Sequence, residues 1–347
     1  MKVFVSLLLV LFFNLELYGE RKVSDDYAVV FMYHHFGKDK FPSTNITIKQ
    51  FQSHLDYLQK YNYNVWPLSK ILKYIKNKQV LPENTVALTI DDAYISIFTH
   101  AYPMLKKKGF PYTVFVNTSP IGNKSIDYMT WEHMREMQLY GAEFSNHSST
   151  HDYLVPIKNE TVEQWKARIQ NELENAQDIL KKELGSSTNE NPKLISYPFG
   201  EYTKETAKFI EDLGYIGVTQ TSGVLSSSID LRRVPRFAMS EMFGDMEGFK
   251  LKLNTLAFPM KRQEPWNPIV TSNPPKLKIV LDQKIKNIAC YTSNGKRIEI
   301  KWLSETELEV QAPSPLVNAR DRYTCTALDK QTGKYFWYSH LWIVDKK

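Results

Sequence analysis

The sequence predicts an α/β domain followed by a small all-β one. Buried-looking strands alternate with amphipathic helices over roughly the first 240 residues, which implies a mostly parallel sheet with covered faces, either a (β/α) barrel or an open doubly wound sheet. Five prolines between residues 258 and 276 then interrupt that pattern. After them come short runs rich in β-branched and aromatic residues, split by turn signals such as Ser293-Asn294-Gly295. A chain of 347 residues with 42% hydrophobic content is long and apolar enough to bury two cores.

The elements follow in order. Residues 1–19 carry one early lysine, an apolar stretch and then polar residues, the pattern of a secretory signal peptide; an uncleaved anchor is the alternative. AVVFMYHHF (28–36) reads as a first strand ending in Tyr33, His34 and His35. Phe51, Leu55 and Leu58, then Leu68, Ile71, Leu72 and Ile75, recur near every 3.6 residues and predict two helices parted at Pro67. VALTIDD is the next strand, followed by a helix closed at Gly109. Strands at PYTVFVNT, AEFSNHS, LISYPFG and YIGVTQ alternate with helices near 129–138, 160–184 and 204–213. We therefore expect one domain over 20–265 and a second over 266–347. No later segment is apolar enough to span a membrane. Lys and Arg exceed Asp and Glu by only six, with no basic stripe, which argues against nucleic acid as a partner.

Chemistry concentrates at three strand ends, where α/β folds place their ligands. Asp91 and Asp92 close VALTIDD; alone, they read as a helix cap and its neighbour. His147 and His151 stand four apart in SNHSSTHDYL, and in a helical turn two such imidazoles project the same way and can close on one metal ion. With a strand-end carboxylate they make a His-His-Asp site that keeps a position open for water. LISYPFGEY places Pro198 and Gly200 in a tight turn whose backbone N–H groups can face the site.

In this order, Thr89-Ile90-Asp91-Asp92-Ala93, His147 to His151 and Ser196-Tyr197-Pro198-Phe199-Gly200 resemble the motifs of the polysaccharide deacetylase family (NodB-homology, carbohydrate esterase family 4), over residues 29–237. The resemblance implies a distorted (β/α) barrel and removal of N-acetyl groups from a cell-surface or extracellular polysaccharide. It implies that Asp92, His147 and His151 hold a divalent metal, zinc first, with cobalt, nickel or manganese as alternatives. Asp91 would be the general base, the Phe199 N–H the oxyanion donor, and Tyr197 and Pro198 would touch substrate. Two features depart from the family pattern: Ser196 replaces the arginine that steers the base, and no Leu-x-His motif supplies an acid. FMYHHF resembles the start of the poly-N-acetylglucosamine deacetylase branch, which makes His34 the candidate acid and His35 structural. Arg233, in LRRVPRF, is the candidate arginine, with Arg236 as the alternative. Ala93 stands where the family has glycine, so φ should be negative there.

Two rival readings remain at this level. A glycoside hydrolase would need two carboxylates across a scissile bond and leaves the histidine pair idle. A catalytically impaired metal-containing carbohydrate-binding protein would account for Ser196. Cys290 and Cys325, an even pair in an exported chain, suggest one disulfide; two free thiols are the alternative. Trp302 between them and Tyr323 two residues before Cys325 resemble an immunoglobulin-like sandwich with its tyrosine corner. That module would bind glycan or a partner protein, or simply brace the barrel; Tyr335, Phe336, Trp337, Tyr338 and Trp342 form an aromatic cluster able to stack on sugar rings, with its inward-facing half expected in the core. The expected location is outside the cytoplasm: periplasmic, cell-surface or secreted.

Overall fold

The structure is a computed structural model, and it describes residues 27–122, 125–185 and 192–344. The expected signal peptide lies outside the described residues. Two-residue strands apart, the first domain runs β1 (Tyr27–Tyr33), α1 (Ile48–Lys60), α2 (Leu68–Lys76), β2 (Thr85–Asp91), α3 (Tyr102–Lys108), β3 (Tyr112–Val116), α4 (Trp131–Gln138), β4 (Ala142–Asn146), α5 (Val162–Leu184), β5 (Lys193–Ser196), α6 (Lys204–Asp212) and β6 (Tyr215–Val218). These strands pair in parallel in the order β1-β2-β3-β4-β5-β6.

Local sequence explains the helices. Thr47 caps α1 and Gln50 answers it, so two otherwise unpaired N–H groups are satisfied at once. α1 then buries Phe51, Leu55 and Leu58 against the odd-numbered side chains of β1, Val29, Phe31 and Tyr33. The even-numbered Ala28 and Val30 join Leu68, Ile71 and Leu72 of α2 in a cluster that also takes Leu194, Ile216 and Val218 from the far strands. A strand's side chains alternate in facing, so one period-2 segment feeds two cores. A cluster that draws on both ends of the strand order requires a curled sheet, with α2 on its concave side.

Beyond β6, the short strand β7 (Leu225–Ser226) runs antiparallel to β1 and β8 (Phe237–Ala238) parallel to it. The segment between them reaches back to β6: Val234 N–H donates to Gly217 O at 2.8 Å, and Thr219 N–H to Val234 O at 2.8 Å. One strap thus touches the last and first parallel strands, consistent with a distorted (β/α) barrel.

After α7 (Met246–Leu253), two further sheets form. One orders β9 (Thr255–Ala257), β17 (Tyr335–Ile343), β16 (Arg320–Leu328), β12 (Ala289–Thr292) and β13 (Arg297–Ile298). The other orders β10 (Met260–Glu264), β11 (Lys276–Leu281), β15 (Glu307–Gln311) and β14 (Ile300–Trp302). Leu277 and Ile279, Leu308 and Val310, and Tyr323, Cys325 and Trp342 share one apolar cluster drawn from both. β9 and β10 precede residue 266 yet pair with β17 and β11, so strands 255–264 belong to these sheets.

Cys290 and Cys325 form a disulfide, directly opposite each other on adjacent strands of one sheet. Trp302, between the cysteines in sequence, is 43% exposed at the edge of the other sheet. Tyr323 is buried, and its phenol donates to Pro275 O at 2.9 Å and accepts from Ala312 N–H at 3.0 Å. Among the described residues no helix is long and apolar enough to cross a membrane.

Candidate metal centre and its clamped carboxylate

β2 is buried at every position and ends on Asp91. A carboxylate buried this fully needs a counter-charge. Arg236 supplies one: Nη1 donates to Asp91 Oδ1 at 2.7 Å and Nη2 to Oδ2 at 2.8 Å. Ser196 Oγ accepts from Arg236 Nη2 at 2.8 Å and donates to Asp91 Oδ2 at 3.2 Å. Arg236 Nε donates to Thr219 O at 2.9 Å. All three side chains are fully buried. Burial alone would raise the Asp91 pKa, but the guanidinium beside it, with His147 and His34, holds it below the usual carboxylate range.

This network corrects the sequence reading at two residues. Arg233 is not the clamp: its Nη2 donates to Gln263 Oε1 at 3.0 Å and its guanidinium lies 4.7 Å from the Trp266 ring. Val234 is pinned to β6 and Arg236 N–H to Thr221 O at 2.9 Å, and this register turns the later arginine inward. Ser196, which looked like a loss, is the hydroxyl between the relocated arginine and the acid.

Asp92 turns away from Asp91. Its Oδ1 lies 3.1 Å from His147 Nε2 and 3.4 Å from His151 Nε2. His147 Nδ1 donates to Ser196 O at 2.8 Å, which fixes the tautomer and leaves the Nε2 lone pair facing the carboxylate. That Nε2 is buried with no hydrogen-bond partner. Two lone-pair atoms in that position need a cation or a proton between them. Ligand bonds of about 2.0–2.1 Å at tetrahedral angles place ligand atoms about 3.3 Å apart, so the trio fits a four-coordinate divalent ion. Burial would raise the Asp92 pKa, yet His147, then His34 and His151 nearby, pull it far down. Burial, then the neighbouring His147, pushes His151 to about 4, leaving its imidazole neutral and able to ligate.

The two histidines do not share a helical turn. They sit on a loop with Ser148 at φ 62° and His151 at φ 65°, held because Glu172 of α5 accepts from Ser149 N–H at 3.0 Å and Thr150 N–H at 2.8 Å. Asp92 and Phe199 are also left-handed, at φ 75° and 59°. Ala93 has φ 56°, where a negative value was expected. A left-handed alanine costs about 1–2 kcal/mol, and its methyl, fully buried in the apolar core, returns about 0.8 kcal/mol. Such strained residues cluster where a structure over-determines its functional atoms.

His34 Nε2 lies 4.0 Å from Asp91 Oδ2, with its side chain 12% exposed, so it borders the same site. His35 is stacked between Tyr94 and Phe41 at 3.8 and 4.5 Å, and burial lowers it to about 4. Tyr197 and Pro198, expected to meet substrate, are buried. The Tyr197 phenol donates to Arg232 O at 2.8 Å, so the pair shapes the turn from beneath. Phe199 crowns that turn, its ring 4.6 Å from His151 and 4.4 Å from Tyr153.

One contributor had no local signal in the sequence. Arg320, from β16 of the second unit, donates through Nη1 to Phe199 O at 2.6 Å. It fixes the peptide that follows the strained Phe199. Arg320→Ala is expected to lower kcat about tenfold, less than the 10²–10³ for removing an oxyanion donor itself. KM and metal content should hardly change, and Arg320→Lys should recover part of the loss; steady-state kinetics on the three proteins checks this.

A curled α/β sheet with an Asp-His-His trio and a clamped second Asp at its strand ends is the arrangement of a metal-dependent hydrolase. The family model described as polysaccharide deacetylase matches residues 78–218. The poly-β-1,6-N-acetyl-D-glucosamine N-deacetylase of Staphylococcus aureus is 27% identical over 219 residues, 61% of this chain and 73% of the relative. Two solved structures share the fold. The Streptococcus pyogenes deacetylase PplD has a TM-score of 0.57 at 23% identity, covering 65% of this chain and 98% of that one. IcaB from Ammonifex degensii has 0.55 at 24%, covering 63% and 94%. Over residues 78–218 the chain is thus similar to the polysaccharide deacetylase family.

Proposed function

We propose that this protein removes N-acetyl groups from an extracellular polysaccharide of the poly-N-acetylglucosamine kind, releasing acetate and a free amino sugar. The observation that carries the reading is the pair of imidazole lone pairs turned on Asp92 Oδ1, at 3.1 and 3.4 Å, with a second, ionised carboxylate clamped alongside. Asp92, His147 and His151 would hold the ion, zinc by preference of two nitrogens and one oxygen, with cobalt, nickel or manganese as replacements. Bound there, a divalent cation supplies Lewis acidity toward a water and an acyl oxygen.

The chain's own groups do the rest. Asp91, kept ionised by Arg236, takes the proton of the attacking water. The Phe199 N–H stabilises the developing oxyanion. His34, at the mouth of the same site, delivers a proton to the departing nitrogen. Arg236 meets the objection that Ser196 raised, so the impaired-site reading loses its ground. Export through residues 1–19 and action outside the cytoplasm accord with a polymeric substrate. Residues 266–347, with the strands just ahead of them, would act as an immunoglobulin-like accessory unit: the Tyr323 corner supports that reading, whereas the exposed Trp302 and the disulfide within one sheet depart from it.

Incubation of the purified protein with N-acetylglucosamine oligomers should release acetate. Chelation should abolish release, and readdition of zinc or cobalt should restore it; no release with any of the four metals overturns the proposal.

A further inference from the structure

Arg233 and the buried polar atoms around it remain unused by this chemistry. The arginine lies in a cavity of about 330 Å³ between the two units, separate from the metal centre. Gln263 and His340, 6% and 2% exposed, line it from the second unit's strands. Gln263 Oε1 is taken by Arg233 Nη2, and its Nε2 is buried with no partner. His340 Nε2 is likewise unpartnered. The Tyr338 hydroxyl stands 3.3 Å from His340 Nδ1; when the phenol donates, the ring hydrogen sits on Nε2. Burial, then the nearby Arg233, pushes the imidazole to about 3 and keeps it neutral, so Nε2 presents one donor.

Charge completes the pattern. Asp230 Oδ1 and Oδ2 accept from Arg232 Nε and Nη2, both at 2.9 Å, and Oδ2 also accepts from Trp266 Nε1 at 2.9 Å. Arg233 Nε reaches that occupied carboxylate only at 3.5 Å. One acid therefore answers two arginines, and the amide N–H groups of Gln263 and the imidazole N–H look for an acceptor. A buried donor without an acceptor pays its desolvation unreturned, and a planar, two-oxygen acceptor would recover that loss.

We propose that this cavity is a second ligand site, for a carboxylate, held by Arg233, Gln263 and His340 across the junction of the two units. Two sources share that chemistry: a uronic acid unit of a polysaccharide, and the acetate that deacetylation sets free. Thr221 lines the cavity and its carbonyl holds the Arg236 N–H, so an occupant would brace the strap that carries the clamp of Asp91. The carboxylate site stands on its own observations, and only acetate as its source rests on the deacetylase reading.

Calorimetric titration of the metal-loaded, full-length protein with glucuronate, acetate and glucose tests it. Glucuronate or acetate should bind saturably while glucose, lacking the charge, should not. Arg233→Gln should weaken binding by about tenfold or more, the loss expected for one charge-assisted contact. Gln263→Glu, which keeps Arg233 and sets a like charge against the ligand, should do the same if Arg233→Gln folds poorly. Glucuronate binding lost in both variants identifies an acidic sugar as the source; acetate alone, lost in both, identifies the product. Carboxylate binding no stronger than glucose, or binding that survives both substitutions, overturns the proposal, since any remaining acetate then sits elsewhere.

Discussion

Asp91→Asn is expected to retain the metal and to lose turnover by about 10²–10⁴-fold, the usual contribution of a positioned general base. The side chain keeps its shape, and Asp92, His147 and His151 are untouched, so metal content should match the parent protein. What disappears is the basic oxygen pair that Arg236 keeps ionised. The substitution also leaves a buried guanidinium with only an amide oxygen, Ser196 Oγ, Thr89 Oγ1 and Thr219 O as partners. Rates must therefore be taken per folded, metal-loaded molecule, with metal analysis and circular dichroism on the same sample. Normal deacetylation by that material would remove Asp91 from the mechanism. A variant that loses both metal and rate would instead make Asp91 part of the ion's support.

The sequence reached the sheet through a local rule, since polar residues that end fully apolar runs are visible without a fold. It reached the metal trio through the order of the family's motifs, for the helical turn that the four-residue spacing implied is a loop with left-handed residues. It reached the wrong arginine for a physical reason: Arg232, Arg233 and Arg236 all flank one proline, and only the bonds of Val234 to β6 determine which side chain enters the core. Ala93 was misjudged because the rule for φ weighs backbone strain and not the return from a fully buried methyl. Tyr197 and Pro198 sit in a motif, but motif membership does not separate residues facing the cleft from those supporting its floor. Arg320 and the early start of the second unit at Thr255 are contacts across long sequence distances, and no periodicity encodes them.

Arg236→Met should destabilise the first domain by about 3–5 kcal/mol, because it leaves a buried carboxylate without its counter-charge. Asp91 then either stays charged at that cost or takes up a proton and ceases to be a base, so activity falls with stability. Chemical denaturation of the metal-free protein reads the first effect and acetate release the second. The pairing makes a sharper claim than either variant alone. In Asp91→Asn/Arg236→Met both charges are gone, and the loss of stability should be smaller than the sum of the two single losses by at least about 1 kcal/mol, as for directly contacting groups. Additive losses would show that Arg236 stabilises the strap through Thr219 O alone and does not hold the acid. A double variant that recovers stability without recovering turnover is the expected outcome: the buried ion pair is kept for the charge it places beside the metal centre, and a neutral pair of similar size would satisfy the fold.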